Sequence, residues 1–382
     1  MKAFLLLPCF MVLFSFMGRD NEYPRRLKRI IGDHPSLPIG SQAPPFSLQG
    51  TDGKIYSLQS FSKSEILVII FTCNHCPTAQ AYENRIIQLT SDYASRNVSV
   101  IAIMPNDPVS INLDELGYTD MGDSYEEMKL RAKEKNFNFP YLYDGENEKV
   151  SFAYGPIATP HVFIFDKSRI LRYSGRIDDM EKPTKTPTQT DTRNAIDELL
   201  AGKSVSVPTT KVFGCSIKWA EKSNWIDKAK LSWANEPIRL DTIGESGIAD
   251  MVQNHSDKLR LINVWATWCG PCVAEFSEFI TMNRMYRKRD FEFISISADE
   301  MTKQHKALQF LQKQEASSTN YIFSGESKYK LIEAIDPKWQ GALPYTLLVE
   351  PGGKIVFSKE GMIDPAELKK AIVEDSYIGR YY

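Results

Sequence analysis

Leu261-Ile262-Asn263-Val264-Trp265-Ala266-Thr267-Trp268-Cys269-Gly270-Pro271-Cys272 decides how this chain is read. Its opening residues form an apolar run of strand length. The residues that follow, Val273-Ala274-Glu275-Phe276 onward, carry helical spacing. A Cys-x-x-Cys pair at a strand-to-helix turn has the parts of a dithiol that opens and closes a disulfide. The thiolate, not the thiol, attacks a disulfide. A helix N-terminus favours the thiolate, because unpaired backbone N–H groups and the helix dipole stabilise negative charge. Pro271 fits the first helical turn, where its missing N–H costs nothing. Cys269 is therefore the expected nucleophile, and Cys272, one turn on, the thiol that resolves the mixed disulfide.

Working outward, the same plan occurs twice. Ile66 to Phe71 is a continuous apolar run, followed by Thr72-Cys73-Asn74-His75-Cys76-Pro77 and helical spacing through Tyr93. Pro160-His161-Val162-Phe163-Ile164-Phe165 matches Pro344-Tyr345-Thr346-Leu347-Leu348-Val349 in topological position, and Gly175-Arg176-Ile177-Asp178 matches Gly361-Met362-Ile363-Asp364. Cys73 and Cys76 thus read as a second dithiol, the twin of the first. A protonated His75 between them would stabilise a thiolate and make this pair the more oxidising of the two.

Both halves resemble the thioredoxin superfamily. The second is similar to its TlpA/ResA-type reductases through Asn263 to Cys272, Glu275 and Pro344. The first is similar to the AhpC/TSA-like redoxin branch through Phe71 to Pro77, Thr159-Pro160 and Phe213 to Trp219. The resemblance implies an α/β protein of two tandem thioredoxin-like folds, each a central sheet flanked by helices. It makes Pro344, with Pro160 as its counterpart, the family's cis-proline, which leaves the Leu343 backbone free to pair with an extended client; an ordinary trans proline opening a strand is the alternative. Thioredoxins proper carry a buried acid at the place of Asn263, and an amide cannot take a proton from the resolving cysteine. Glu275 is the replacement candidate, against a plain solvated helix carboxylate.

At 382 residues the length suits two or three domains, and 42% apolar with 25% charged residues is ordinary globular composition. A net charge of −2 argues against nucleic acid as a partner. Lys2 followed by a nearly unbroken apolar run to Met17 reads as a signal peptide, too short for a comfortable membrane span. The basic cluster Arg25-Arg26-Leu27-Lys28-Arg29 is unfavourable just after an export signal, so an uncleaved anchor is the alternative. The expected organisation is a signal peptide at 1–18, a linker at 19–40, a first domain at 41–222, a connecting helix at 223–236 and a second domain at 237–382. Asn106 to Asp123 lacks a period and reads as an inserted loop. Cys215 has no partner nearby in sequence and reads as buried and inert.

Together these residues predict an exported, periplasmic thiol–disulfide oxidoreductase with protein disulfides or dithiols as clients. Electrons would come from another redox protein or a membrane thiol carrier. No organic cofactor is needed, because the cysteines carry the electrons. Two other classes compete. A thiol-dependent peroxidase would fit redoxin kinship, but Cys73 stands where peroxiredoxins carry a threonine before the reactive cysteine, and the expected arginine near Thr159-Pro160-His161 is missing. A copper- or zinc-binding thiol module would draw on Cys73, Cys76, His75 and His161.

Overall fold

In this computed structural model, residues 34–182 and 184–379 are described. The proposed signal segment at 1–18, the basic cluster and most of the linker lie outside the described residues. Among the described residues no helix is long and apolar enough to cross a membrane.

The apolar runs become the centre of two sheets. In chain order the first half comprises β1 (Ser47–Gly50), β2 (Ile55–Ser57), β3 (Ile66–Phe71), α1 (Pro77–Tyr93), β4 (Val98–Met104), α2 (Tyr125–Glu134), β5 (Tyr141–Tyr143), α3 (Lys149–Tyr154), β6 (Ala158–Thr159), β7 (His161–Phe165), β8 (Leu171–Gly175), α4 (Asp191–Leu200) and β9 (Cys215–Ser216). After the connecting helix α5 (Asn224–Ala234) come β10 (Asp241–Ile243), α6 (Glu245–Gln253), β11 (Leu259–Trp265), α7 (Gly270–Tyr286), β12 (Phe291–Ser297), α8 (Gln304–Lys313), β13 (Thr319–Phe323), α9 (Lys328–Ile335), β14 (Tyr345–Val349), β15 (Ile355–Glu360) and α10 (Pro365–Glu374). The sequence pattern left β10 and α6 unassigned, because α6 offers only Ile248, Met251 and Val252 as buried residues in a polar stretch.

The first sheet runs β2-β1-β5-β4-β3-β7-β8 and the second β10-β13-β12-β11-β14-β15. Each contains the same five-strand core. β3 is parallel to β4 and antiparallel to β7, as β11 is parallel to β12 and antiparallel to β14. All six residues of β3 are buried, because helices and loops cover both faces of the sheet. Each fully buried aliphatic side chain of this kind contributes about 1.5–3 kcal/mol. A continuous apolar strand therefore has no competitive place other than the centre.

Two expectations change. The last linker residues are packed: Leu37 N–H donates to the Tyr154 carbonyl at 2.9 Å, and the His34 ring lies 4.5 Å from Phe152 and 4.7 Å from Trp219. The segment 106–123 is no solvated loop. It contains short 3₁₀ turns at Pro108–Ser110 and Leu113–Leu116, and Asn106, Asp107, Thr119 and Asp123 are buried. Leu113 and Leu116 pack against the apolar core of the second domain. The Tyr286 hydroxyl at the end of α7 donates to the Thr119 carbonyl at 3.0 Å. The two backbones come so close that a Cβ on Gly117 would sit 3.0 Å from the Met285 carbonyl oxygen. The insertion is the seam between the domains.

Tyr286→Phe leaves the Thr119 carbonyl short of a partner in a buried seam. It should lower stability by about 1 kcal/mol in a urea titration, whereas an unchanged midpoint would mean the seam contributes nothing.

Candidate active site

In the second domain, α7 begins where β11 ends, with Cys269 as its N-cap in extended backbone and proline in the first turn. The Cys269 sulfur accepts the Cys272 N–H at 3.3 Å. The two cysteines form a disulfide with an S–S distance of 2.02 Å. Cys269 is 6% exposed and Cys272 1%, which orders them as outer and inner thiol. The turn before them is pinned by Asp299, a residue no sequence signal marked. Its carboxylate accepts Thr267 N–H at 2.9 Å, Thr267 Oγ1–H at 2.7 Å and the Ser297 hydroxyl at 2.8 Å. Trp268 stands in solvent beside the pair, with the Lys328 ammonium 4.9 Å from its ring centroid.

The Leu343–Pro344 peptide is cis, as is Thr159–Pro160. Asn263 is buried and donates its amide to Thr346 Oγ1 at 3.2 Å. Glu275 is buried rather than solvated. One carboxylate oxygen accepts Ile363 N–H at 2.9 Å and the other has no hydrogen-bond partner. Burial pushes its pKa to about 7, against the single opposing Ile363 hydrogen bond. A carboxyl that changes charge near neutral pH, one helical turn past Cys272, can hold and return a proton.

In the first domain the strand registers correct the twin relationship. Phe71 pairs with His161 and Val264 with Tyr345, and each of these partners directly follows a cis-proline. Phe71 therefore corresponds to Val264, and Cys76, not Cys73, to Cys269. Cys76 is the N-cap of α1, with its sulfur accepting Ala79 N–H at 3.4 Å and Pro77 in the first turn. Cys73 lies before the helix, and Ala79 occupies the place of Cys272. Cys73 Sγ lies 3.2 Å from Thr159 Oγ1, and Cys76 Sγ lies 3.4 Å from the Thr159 carbonyl oxygen.

His75 is buried, and its Nδ1 lies 2.6 Å from Asp123 Oδ2. Asp123 also accepts Asn74 N–H at 2.8 Å, His75 N–H at 3.0 Å and the Asn106 amide at 2.7 Å. Sequence reasoning missed Asp123, which stands 48 residues from His75. Burial opposes charge on both partners, yet their mutual attraction holds His75 above its usual value and Asp123 below its own. The two cysteines diverge. Burial and the bond to Cys76 push the Cys73 thiol well up. For Cys76 burial is outweighed by hydrogen bonds from Cys215 and Cys73, the His75 charge and Ala79 N–H, and the thiol lies well below its usual value.

Two remote residues find partners in the fold. His161 Nδ1 accepts Ile157 N–H at 3.1 Å, its Nε2 lies 3.0 Å from Ser174 Oγ, and burial pushes its pKa to about 3. Cys73, His75 and Asp123 do place possible ligand atoms within 4.8 Å of one another. Cys215 is not isolated either: β9 pairs with β6, and Cys215 stands opposite Thr159, whose carbonyl oxygen lies 3.4 Å from Cys76 Sγ.

Residues 39–174 match the AhpC/TSA family model and residues 238–372 the Redoxin model. The chain is a tandem of two thioredoxin-superfamily domains. This makes it a thioredoxin-like oxidoreductase. Its relatives include the thiol-disulfide oxidoreductase ResA of Bacillus cereus, 24% identical over 34% of this chain and 70% of the relative. A hypothetical protein from Sinorhizobium meliloti is 32% identical, covering 49% of this chain and 97% of its own, at a TM-score of 0.43. An uncharacterized conserved protein from Geobacillus kaustophilus is 38% identical, covering 48% and 92%, at a TM-score of 0.42.

The raised pKa of Glu275 has a definite sign. The folded state binds this proton more tightly than the unfolded state, so the contribution is complete below pH 4.5 and is lost as pH rises through about 7. Glu275→Gln should therefore gain stability relative to the parent across that window in denaturation curves at several pH values. A constant offset would refute a raised pKa. In the first domain, His75→Gln removes the charge beside Cys76 and should raise the pH at which its thiolate absorbance appears; an unmoved titration would remove His75 from the account.

Proposed function

We propose that the chain is an exported thiol–disulfide oxidoreductase that reduces or exchanges protein disulfides through Cys269 and Cys272. The observation that carries this is the Cys269–Cys272 pair at the start of α7, outer sulfur at the N-cap and inner sulfur buried, with the buried Glu275, one carboxylate oxygen unpartnered, a helical turn further on. From the dithiol state, the Cys269 thiolate attacks a client disulfide, forms a mixed disulfide and releases one client thiolate. Cys272, losing its proton to Glu275, attacks Cys269 Sγ. The Cys269–Cys272 bond forms, the second client thiolate leaves, and two electrons have passed to the client. Leu343, before the cis-proline, lies in no strand and is half-buried, which suits pairing with an extended client backbone. An upstream redox protein or a membrane thiol carrier returns the electrons. The relative named thiol-disulfide oxidoreductase supports this assignment. A periplasmic location rests on the N-terminal sequence, with an uncleaved anchor in the inner membrane as its alternative.

A thiol-dependent peroxidase activity in the first domain is the second reading, favoured by the depressed pKa of Cys76 at the start of α1. Peroxide consumption abolished by Cys76→Ser would establish it.

Cys272→Ser should trap client proteins as mixed disulfides that reducing agent releases, and Cys269→Ser in the same background should abolish the capture. Capture that persists without Cys269 would overturn its assignment as nucleophile.

A further inference from the structure

The register of the two domains leaves an unanswered need. A mixed disulfide on Cys269 is resolved from one turn along the helix, but the corresponding residue in the first domain is Ala79. Cys76, the more acidic thiol, has no partner on its own helix.

On the proposed function, a client of the second domain lies along the residue before the cis-proline. In the first domain that edge is taken. β9 pairs antiparallel with β6, and Cys215 stands directly opposite Thr159. The chain's own segment from Phe213 to Trp219 occupies the place that Leu343 leaves open. Several features hold it there. Ile217 and Trp219 are buried, Lys218 N–H donates to Asn106 Oδ1 at 2.9 Å, and Asp107 N–H donates to the Lys218 carbonyl at 2.9 Å. Gly214 makes the approach possible. Its φ is +143°, and a Cβ there would lie 2.0 Å from the Thr159 carbonyl oxygen. Cys215 is half-buried, whereas Cys73 and Cys76 are buried. Cys76 Sγ lies 3.4 Å from the carbonyl oxygen of Thr159, the residue that Cys215 faces across the strand pair.

We propose that Cys215 is the resolving thiol of the first domain, presented to Cys76 by a built-in strand that takes the position of a client. The Cys76 thiolate attacks a small or protein disulfide, forms a mixed disulfide and expels one thiolate. Cys215, on losing its proton to solvent, attacks Cys76 Sγ. The Cys76–Cys215 bond forms, the second thiolate leaves, and the two electrons of the Cys76/Cys215 dithiol reside on the former disulfide. Cys73, held at Thr159 Oγ1, supports the Cys76 thiolate as a hydrogen-bond donor. The assignment does not depend on the role of Cys269 and Cys272.

The test equilibrates the full chain with oxidised glutathione, blocks free thiols with N-ethylmaleimide and maps the tryptic peptides by mass. Cys73 and Cys76 fall in one peptide, residues 64–85, and Cys215 in another, residues 212–218. A Cys73–Cys76 bond is therefore a loop within one peptide, and a Cys76–Cys215 bond is a cross-link between two. The cross-link is expected in the parent and in Cys73→Ser. In Cys215→Ser, glutathione should remain on Cys76. Gly214→Val, which drives β9 off Thr159, should lose the cross-link while the Cys269–Cys272 bond forms in the same sample. Only the internal loop in the fully oxidised parent, or no disulfide at all in this domain, overturns the proposal. So does glutathione retained on Cys76 in Cys73→Ser but not in Cys215→Ser.

Discussion

A sulfur atom at the first turn of a helix, directly after a strand buried on both faces, is the constraint around which both halves are built. The strand cannot leave the centre of its sheet without exposing its apolar side chains. The helix that follows must therefore start at a fixed place, and its unpaired N–H groups point at whichever residue caps it. In each domain that residue is a cysteine: Cys269 before Gly270-Pro271, and Cys76 before Pro77. The cis-proline strand, hydrogen-bonded antiparallel to the same central strand, brings the next residues alongside.

Around this shared frame the two sites are tuned by different buried acids. Glu275 is alone with one backbone N–H, so its charge is disfavoured. Asp123 is surrounded by donors and paired with His75, so its negative charge is held and in turn favours the positive charge of His75 next to Cys76. The same segment that delivers Asp123 also carries Thr119. Its side chain accepts the Gln80 amide of α1 at 3.2 Å, while its carbonyl accepts the Tyr286 hydroxyl of α7. One insertion thus serves the first site and the domain seam together. The seam meets α7 at Tyr286, about 26 Å along the helix from Cys269.

Chain-local chemistry was legible in the amino-acid order. Apolar runs of strand length, the helical spacing after each Cys-x-x-Cys, the prolines opening the late strands and the tandem repeat follow from periods and turn residues that act over a few positions. They were enough for two like sheets and for Cys269 and Cys272 at a helix start, while the thioredoxin-like fold and Glu275 one turn on were implied by the family resemblance. They also misled at the first cysteine pair. Cys73-x-x-Cys76 matches Cys269-x-x-Cys272 as text, but spacing alone does not say which cysteine caps the helix.

That choice, and whatever depends on contact between distant segments, belonged to the tertiary structure. Pairing of Phe71 with His161 set Cys76 as the equivalent of Cys269. Asp123 met His75 across 48 positions, Cys215 met Thr159 through strand pairing, and His161 was taken up by Ser174 and the Ile157 N–H. Burial decided the charge states: Glu275 shifts because water is excluded from it, and no neighbour in sequence records that exclusion. The sequence by itself determined which segments are strands and helices and where sulfur stands along them. Only the folded chain decided which sulfurs face one another and which carboxylates reach them, because hydrogen bonding and desolvation act through space and not along the chain.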